Sequence, residues 1–190
     1  RYIYKSTQSC DLLEMNCLDK FLEVTRDKYL EVPYHNSMHA ADVTQTMHLI
    51  ISKANLMELL HLNEIDILSL ITATMLHDLG HPGMNNTFQI NTYSEYSIVY
   101  NDRSVLENYH VSESFKVLRS EECNIFGKLD ENQYRGLRKR LIEMILSTDM
   151  MLHAKLLSIV KNRIASQKSQ QLELIDEKST TLFEEQQEVL

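Results

Sequence analysis

The sequence predicts an all-α, multi-helix bundle, and three observations carry that prediction. Apolar residues recur three or four apart in several segments, and no segment alternates with period two over a useful length. Only 4 Gly and 2 Pro punctuate 190 residues, whereas sandwiches and barrels of short strands need turn residues about every 8 to 12 positions. Apolar residues at 43% and charged residues at 24% give the balance of a soluble domain able to bury a core. The length suits one ordinary domain or part of a larger one.

Taken in order, Val43, Met47, Ile50 and Ala54 stripe an early helix. Ile65, Leu68, Ile71, Met75 and Leu79 stripe the next, with Asn63 and Asp66 spaced as a capping box at its start. Gly80 and Pro82 stop it, placing Leu76, His77 and Asp78 in its last turn. Ser104 with Glu107 forms a second box, Asp130 with Gln133 a third. The third starts a helix carrying Tyr134, Leu137, Leu141, Met144 and Ile145 that should end near Thr148. Asp149 is placed to cap one more, with Leu152, Leu156, Ile159 and Val160 on it. From Ser166 to Leu190 the composition turns polar, with two Lys against six acids. We therefore divide the chain into 1–165 and 166–190, the latter a loop leading into a helix that begins within Leu182–Leu190. A first residue of Arg rather than Met fits a piece of a longer protein.

Charge and cysteine narrow the function. The net charge of −8 offers no electrostatic footprint for nucleic acid. Arg135, Arg138, Lys139 and Arg140 form the one basic cluster, read as a solvated helix face. Cys10, Cys17 and Cys123 are odd in number and lack a CxxC, so a disulfide framework or thiolate zinc site is not indicated. No apolar run reaches the ~18 to 20 residues of a membrane span, and the N-terminus lacks a signal-peptide layout. The expectation is a cytoplasmic protein.

Chemistry concentrates in two histidine clusters. His35 and His39 lie four apart, which aligns their rings if that segment is helical. His77 and Asp78 are adjacent at a helix end, where the stop at Gly80 lets both side chains turn toward one centre, and His81 follows. Imidazole with carboxylate suits zinc, iron or manganese, and a carboxylate can bridge to a harder ion such as magnesium. The pattern points to a two-metal hydrolytic centre. The plainer alternative is a helix C-terminal histidine beside an ordinary acid, which accounts for the dipeptide but not for both clusters. His48, His61, His110 and His153 have no partner at ligand spacing and are read as structural, with His110 near the site through its place in the LENYH block.

Four blocks, YHNSMHAADV, HDLGHPGMNN, YNDRSVLENYH and STDM, stand in the order and spacing of the class I cyclic nucleotide phosphodiesterases, and the chain resembles their all-helical catalytic domain from about Pro33 to His153. The resemblance implies His35 as the general acid for the leaving 3′ oxygen. It implies His39, His77 and Asp78 as metal ligands, with Asp78 shared between zinc in the tighter site and magnesium or manganese in the second. His81 would stand near the site, and Glu107 and Thr148 would hold water on the second ion. Tyr34, Asp149 and Met150 are candidates for the pocket wall. A phosphodiester anion hydrolyses slowly unless its charge is neutralised, a nucleophile is generated at neutral pH and the leaving alkoxide is protonated. Two metal ions with a shared hydroxide serve the first two needs, and an imidazole, with a reference pKa of about 6.5, serves the third.

The family's later aspartate block, of the HCADLSNP kind, and its purine-gripping glutamine are not in these residues. The expectation is therefore hydrolysis of cyclic AMP or cyclic GMP by the parent protein, which carries further regulatory segments, and weak or no turnover by these residues alone. Two alternatives stay open: an HD-type nucleotidase and a non-catalytic regulatory or scaffolding module.

Overall fold

The computed structural model describes residues 3, 9–54 and 56–166. The expected helix start within Leu182–Leu190 lies outside them. Helices joined by loops and turns make up the described residues, with no strand among them, as the periodicity requires. The longer helices are α1 (Met15–Lys28), α2 (Ser37–Lys53), α4 (Glu64–Leu76), α7 (Val105–Leu118) and α8 (Glu131–Leu146); α3 (Leu56–Leu59), α5 (Asn86–Asn91) and α6 (Glu95–Tyr100) are short. Two compact units divide after Asp149, ahead of the compositional shift at Ser166, because the helix over 150–166 belongs to the second unit.

In the first unit α4 is the central element. It buries not one stripe but most of its circumference: Ile67, Leu68, Ile71 and Leu76 are fully enclosed, together with Ser69 and Thr72, and Thr74 is buried. Hydroxyls survive there because the helix satisfies them, Ser69 Oγ donating to Ile65 O and Thr74 Oγ1 to Ile71 O. α8 packs along α4 with Leu137, Leu141 and Ile145, and α2 covers another side. α1 contributes Leu18 and Phe21, and Phe126 closes the core. Each fully buried side chain of this size stabilises the unit by roughly 1.5 to 3 kcal/mol before conformational entropy is offset.

Two of the three expected capping boxes form. Asn63 accepts from Asp66 N while Asp66 accepts from Asn63 N, and Asp130 and Gln133 do the same. The third does not. Ser104 sits in the left-handed region (φ 41°), makes no cap bond and donates its hydroxyl to Asp149 Oδ2 at 2.7 Å.

The stripe on α2 is also displaced from its expected register. Ala40, Thr44 and Ile51 are buried, while Ile50 and Ala54 are exposed, because Thr44 satisfies its hydroxyl on Ala40 O and serves as a core residue. α4 ends at Leu76, so His77 is its cap residue and Asp78 lies just beyond, one turn earlier than the glycine stop implied. α8 ends at Leu146, near the expected Thr148. The basic cluster is not simply solvated: Arg140 pairs with Asp66 on α4, and Arg138 lies 4.0 Å over the Phe115 ring on α7.

In the second unit the helix over 150–166 forms as expected, but Leu156, Ile159 and Val160 are exposed on it.

Candidate metal centre

Three chain segments deliver the site. The first is the entry to α2. Asn36 Oδ1 accepts from Met38 N and His39 N, and Asn36 Nδ2 donates to Val32 O, so the asparagine both starts the helix and anchors the segment before it. His39 therefore lies in the first turn, whereas His35 precedes the helix. The two are not stacked along one helix face. Their ring centroids are nonetheless 5.8 Å apart, with the planes at 82°.

The second segment is the exit of α4. His77 Nδ1 lies 3.0 Å from Thr74 O. A carbonyl only accepts, so Nδ1 carries a hydrogen and Nε2, 3.0 Å from Asp78 Oδ2, faces the centre: protonated it donates to that carboxylate, and deprotonated it offers a lone pair to an ion. The chain then turns through Asp78, with His81 N donating to Asp78 O, and Gly80 adopts φ 75°. A Cβ there would stand 3.0 Å from the Tyr109 hydroxyl, so glycine meets both the turn and the close approach.

The third segment is α7. It presents Glu107 and, one turn later on the same face, His110, which is almost wholly buried with Nδ1 2.9 Å from Leu79 O.

These segments converge on Asp78. Its Oδ2 lies 3.0 Å from His77 Nε2 and 3.4 Å from His39 Nε2, and its Oδ1 lies 3.8 Å from His110 Nε2. Ligand atoms of His39, His77 and Asp78 all fall within 4.8 Å of one another. Two ligands about 2.1 Å from one ion at the tetrahedral angle stand about 3.4 Å apart. The separations of 3.0 and 3.4 Å about Asp78 lie close to that value, so the donor set can hold a divalent metal ion.

The electrostatics agree with a cation site. Burial opposes ionisation of Asp78, yet the hydrogen bond from His77 and the surrounding imidazoles hold its carboxyl down at about 2. Burial likewise opposes charge on His77, but Asp78 and the Thr74 carbonyl outweigh it and raise that imidazole above its ordinary value. His39 is lowered, by burial first and by His77 second. His81 and His110 are both brought down to about 4, chiefly by burial, and so are neutral at pH 7. For His81 the geometry says the same: Gly83 N donates to its Nδ1 at 2.9 Å, which requires a lone pair there.

His35 lies face to face with His81, 3.9 Å between centroids and 14° between planes. Tyr34, largely exposed, packs its ring 4.9 Å from His35 and 4.6 Å from His39. Glu107 is half-buried, and its carboxyl is raised by burial, with Asp149 and Asp78 adding repulsion. Asp149 is buried and tied to Ser104. Thr148 is exposed and donates its hydroxyl to Ile145 O. Met150 is exposed in the second unit. His35, His39, His77, Asp78, His81 and Tyr34 are thus gathered in one place, with Glu107 and Asp149 within electrostatic reach. His110 joins them although its spacing gave no ligand partner; its position three residues after Glu107 on one helix was the available signal. Asn86, whose side chain holds Glu107, was not singled out by the sequence reading.

The family model described as 3′5′-cyclic nucleotide phosphodiesterase matches residues 34–189. The 3′,5′-cyclic-nucleotide phosphodiesterase regA of Dictyostelium discoideum is 49% identical over 120 residues, covering 63% of this chain and 15% of that protein. The dual specificity calcium/calmodulin-dependent 3′,5′-cyclic nucleotide phosphodiesterase 1B of Homo sapiens is 44% identical over 162 residues, covering 85% of this chain and 28% of that protein. Among solved structures, the phosphodiesterase domain of the RhoPDE fusion protein from the choanoflagellate Salpingoeca rosetta superposes with a TM-score of 0.80 at 35% identity, covering 86% of this chain and 52% of that one. The chain thus spans about half of that solved domain and under a third of these curated relatives.

Proposed function

Because the chain belongs to the 3′,5′-cyclic nucleotide phosphodiesterase family, we propose that it forms the metal-binding part of an enzyme that hydrolyses cyclic AMP or cyclic GMP to the 5′ monophosphate. The observation that carries the reading is the convergence of His39, His77 and Asp78 with His35 on their rim. His39, His77 and Asp78 would hold zinc, and the second carboxylate oxygen of Asp78 is available to a magnesium or manganese ion. Ions bound there supply charge neutralisation of the phosphate and a nucleophile at neutral pH.

The chain's own residues do the rest. His77 and Asp78 are oriented before any ion binds, His77 through Thr74 O and Asp78 through His77. His35 donates the proton to the departing 3′ oxygen, and its stack on His81 fixes the ring plane from which it donates. Glu107 and Thr148 would hold water beside the second ion. Tyr34 and Asp149 serve the wall of the nucleotide pocket. The net charge of −8 makes the ions, rather than basic side chains, the attraction for the anionic substrate. We place the enzyme in the cytoplasm, with regulatory segments in the parent chain; no helix among the described residues is long and apolar enough to cross a membrane.

The test is release of 5′ monophosphate from each cyclic nucleotide by the full-length protein with zinc and magnesium. Turnover abolished by Asp78→Asn, and lowered about 10²- to 10⁴-fold in kcat by His35→Gln, is the expected result. Hydrolysis of neither cyclic nucleotide by folded, metal-loaded protein would overturn the proposal.

A further inference from the structure

The first turn of α7 is held from outside. Ser104, the residue placed to cap it, has turned its hydroxyl to Asp149. The Leu106 N–H is instead taken by Asn86 Oδ1, at 2.9 Å, from the first residue of α5. A backbone N–H can only donate, so this contact fixes the amide oxygen and leaves the amide nitrogen on the other side. That nitrogen donates to Glu107 Oε2 at 2.9 Å. One planar amide therefore grips two consecutive residues of α7, twenty and twenty-one positions downstream. The neighbouring asparagine does nothing of the kind: Asn85 Oδ1 caps its own helix at Phe88 N.

Glu107 needs such a grip. Asp149 and Asp78 both repel its carboxylate, and beside its own backbone N–H the Asn86 amide is the donor that holds it against that repulsion. Asn86 lies eight residues after Asp78, beyond the Gly80–Gly83 turn, and so ties the carboxylate to the same loop that carries the metal ligands.

We infer that Asn86 is a positioning residue: its amide nitrogen fixes the Glu107 carboxylate relative to Asp78 while its amide oxygen fixes the start of the helix that carries Glu107. The inference rests on the proposed role of Glu107 beside the second ion.

Asn86→Asp separates the two functions of the amide, because it keeps an oxygen for Leu106 N and sets a carboxylate against Glu107. In the full-length protein, Asn86→Asp should lower kcat at least about tenfold with the KM for cyclic AMP within about twofold of wild type. Substrate-free Mn²⁺ binding, followed by loss of the free-ion electron paramagnetic resonance signal, should weaken about fivefold or more, with the melting temperature within about 2 °C of wild type. Asn86→Ala should lose both arms, reducing activity and melting temperature together. Asn85→Asp is the control for a charge placed one residue away and should leave kcat and Mn²⁺ binding unchanged.

Wild-type kcat and Mn²⁺ binding in Asn86→Asp would overturn the inference. So would losses that merely follow a lowered melting temperature, or equal losses in Asn85→Asp. If wild-type protein hydrolyses neither cyclic nucleotide, the proposed function fails, and Mn²⁺ binding to the two variants still decides the role of Asn86.

Discussion

Acidification of the metal-free protein should unfold it through His81 and His110. Both imidazoles are neutral in the folded state because their pKa values are brought down to about 4, while an unfolded histidine titrates near 6.5. Between those values the unfolded chain binds more protons than the folded one, so stability falls as pH falls. At pH 4.5 each ring has forfeited on the order of 2 kcal/mol, less for His81 because solvent screens it more than His110, against a total of about 5 to 15 kcal/mol for an ordinary domain.

The neighbouring groups act mainly outside that window. His77, raised, contributes stability that is complete below pH 6.5 and is lost as pH rises through its folded value. Asp78, depressed to about 2, keeps its contribution above about pH 4 and loses it only as pH falls further. His39, lowered, adds to the loss, and Glu107, raised, offsets part of it. The net expectation is a fall in stability between pH 7 and 4.5, dominated by His81 and His110. Urea unfolding followed by far-ultraviolet circular dichroism, in chelator at pH 7, 6, 5 and 4.5, reads it directly. His110→Gln should remove about half of the dependence. An unfolding free energy that stays flat or rises on acidification would refute the reasoning.

Three further outcomes follow from the fold. Leu76→Ala, at a fully buried position beside His77, should cost about 2 to 5 kcal/mol in denaturant unfolding; a cost under about 1 kcal/mol would mean that the end of α4 is not packed as described. Asn63→Ala breaks the capping box of α4 and should cost about 1 kcal/mol by the same measurement, with no cost counting against the box. Gly80→Ala strains a residue at φ 75° and drives a methyl group against Tyr109, so a loss of about 1 to 2 kcal/mol and weaker zinc affinity are expected; a neutral effect in a zinc titration and a thermal melt would contradict the turn geometry.

How far the sequence carried these features depended on how local they are. The boxes at Asn63 and Asp130 were legible because their partners lie three residues away on the same helix. Ser104 offered the same spacing and failed, because Asp149, 45 residues later, takes its hydroxyl. On α2, apolar counting skipped Thr44, whose hydroxyl is satisfied within the helix, and so misplaced the stripe. His39, His77 and Asp78 were legible through clustering and block order, and the structure gathers them. His110 was undervalued because ligand spacing was judged along the chain, whereas its contact with Asp78 crosses from one helix to the end of another. The double grip of Asn86 left no mark in periodicity at all, since both of its bonds join distant segments. For the helix over 150–166 the pattern gave the element but not its surroundings, which leave its apolar residues exposed.

The most direct test of the central claim is metal stoichiometry. The full-length protein is dialysed against zinc with a weak chelator present, and bound zinc per chain is measured by elemental analysis for wild type, His39→Ala, His77→Ala and Asp78→Asn. The expected result is one tightly held zinc in the wild type, lost or weakened about 10- to 100-fold or more in each variant while the helical circular dichroism is retained. Equal zinc binding by wild type and all three variants, or none by folded wild type, would contradict a metal centre built from His39, His77 and Asp78.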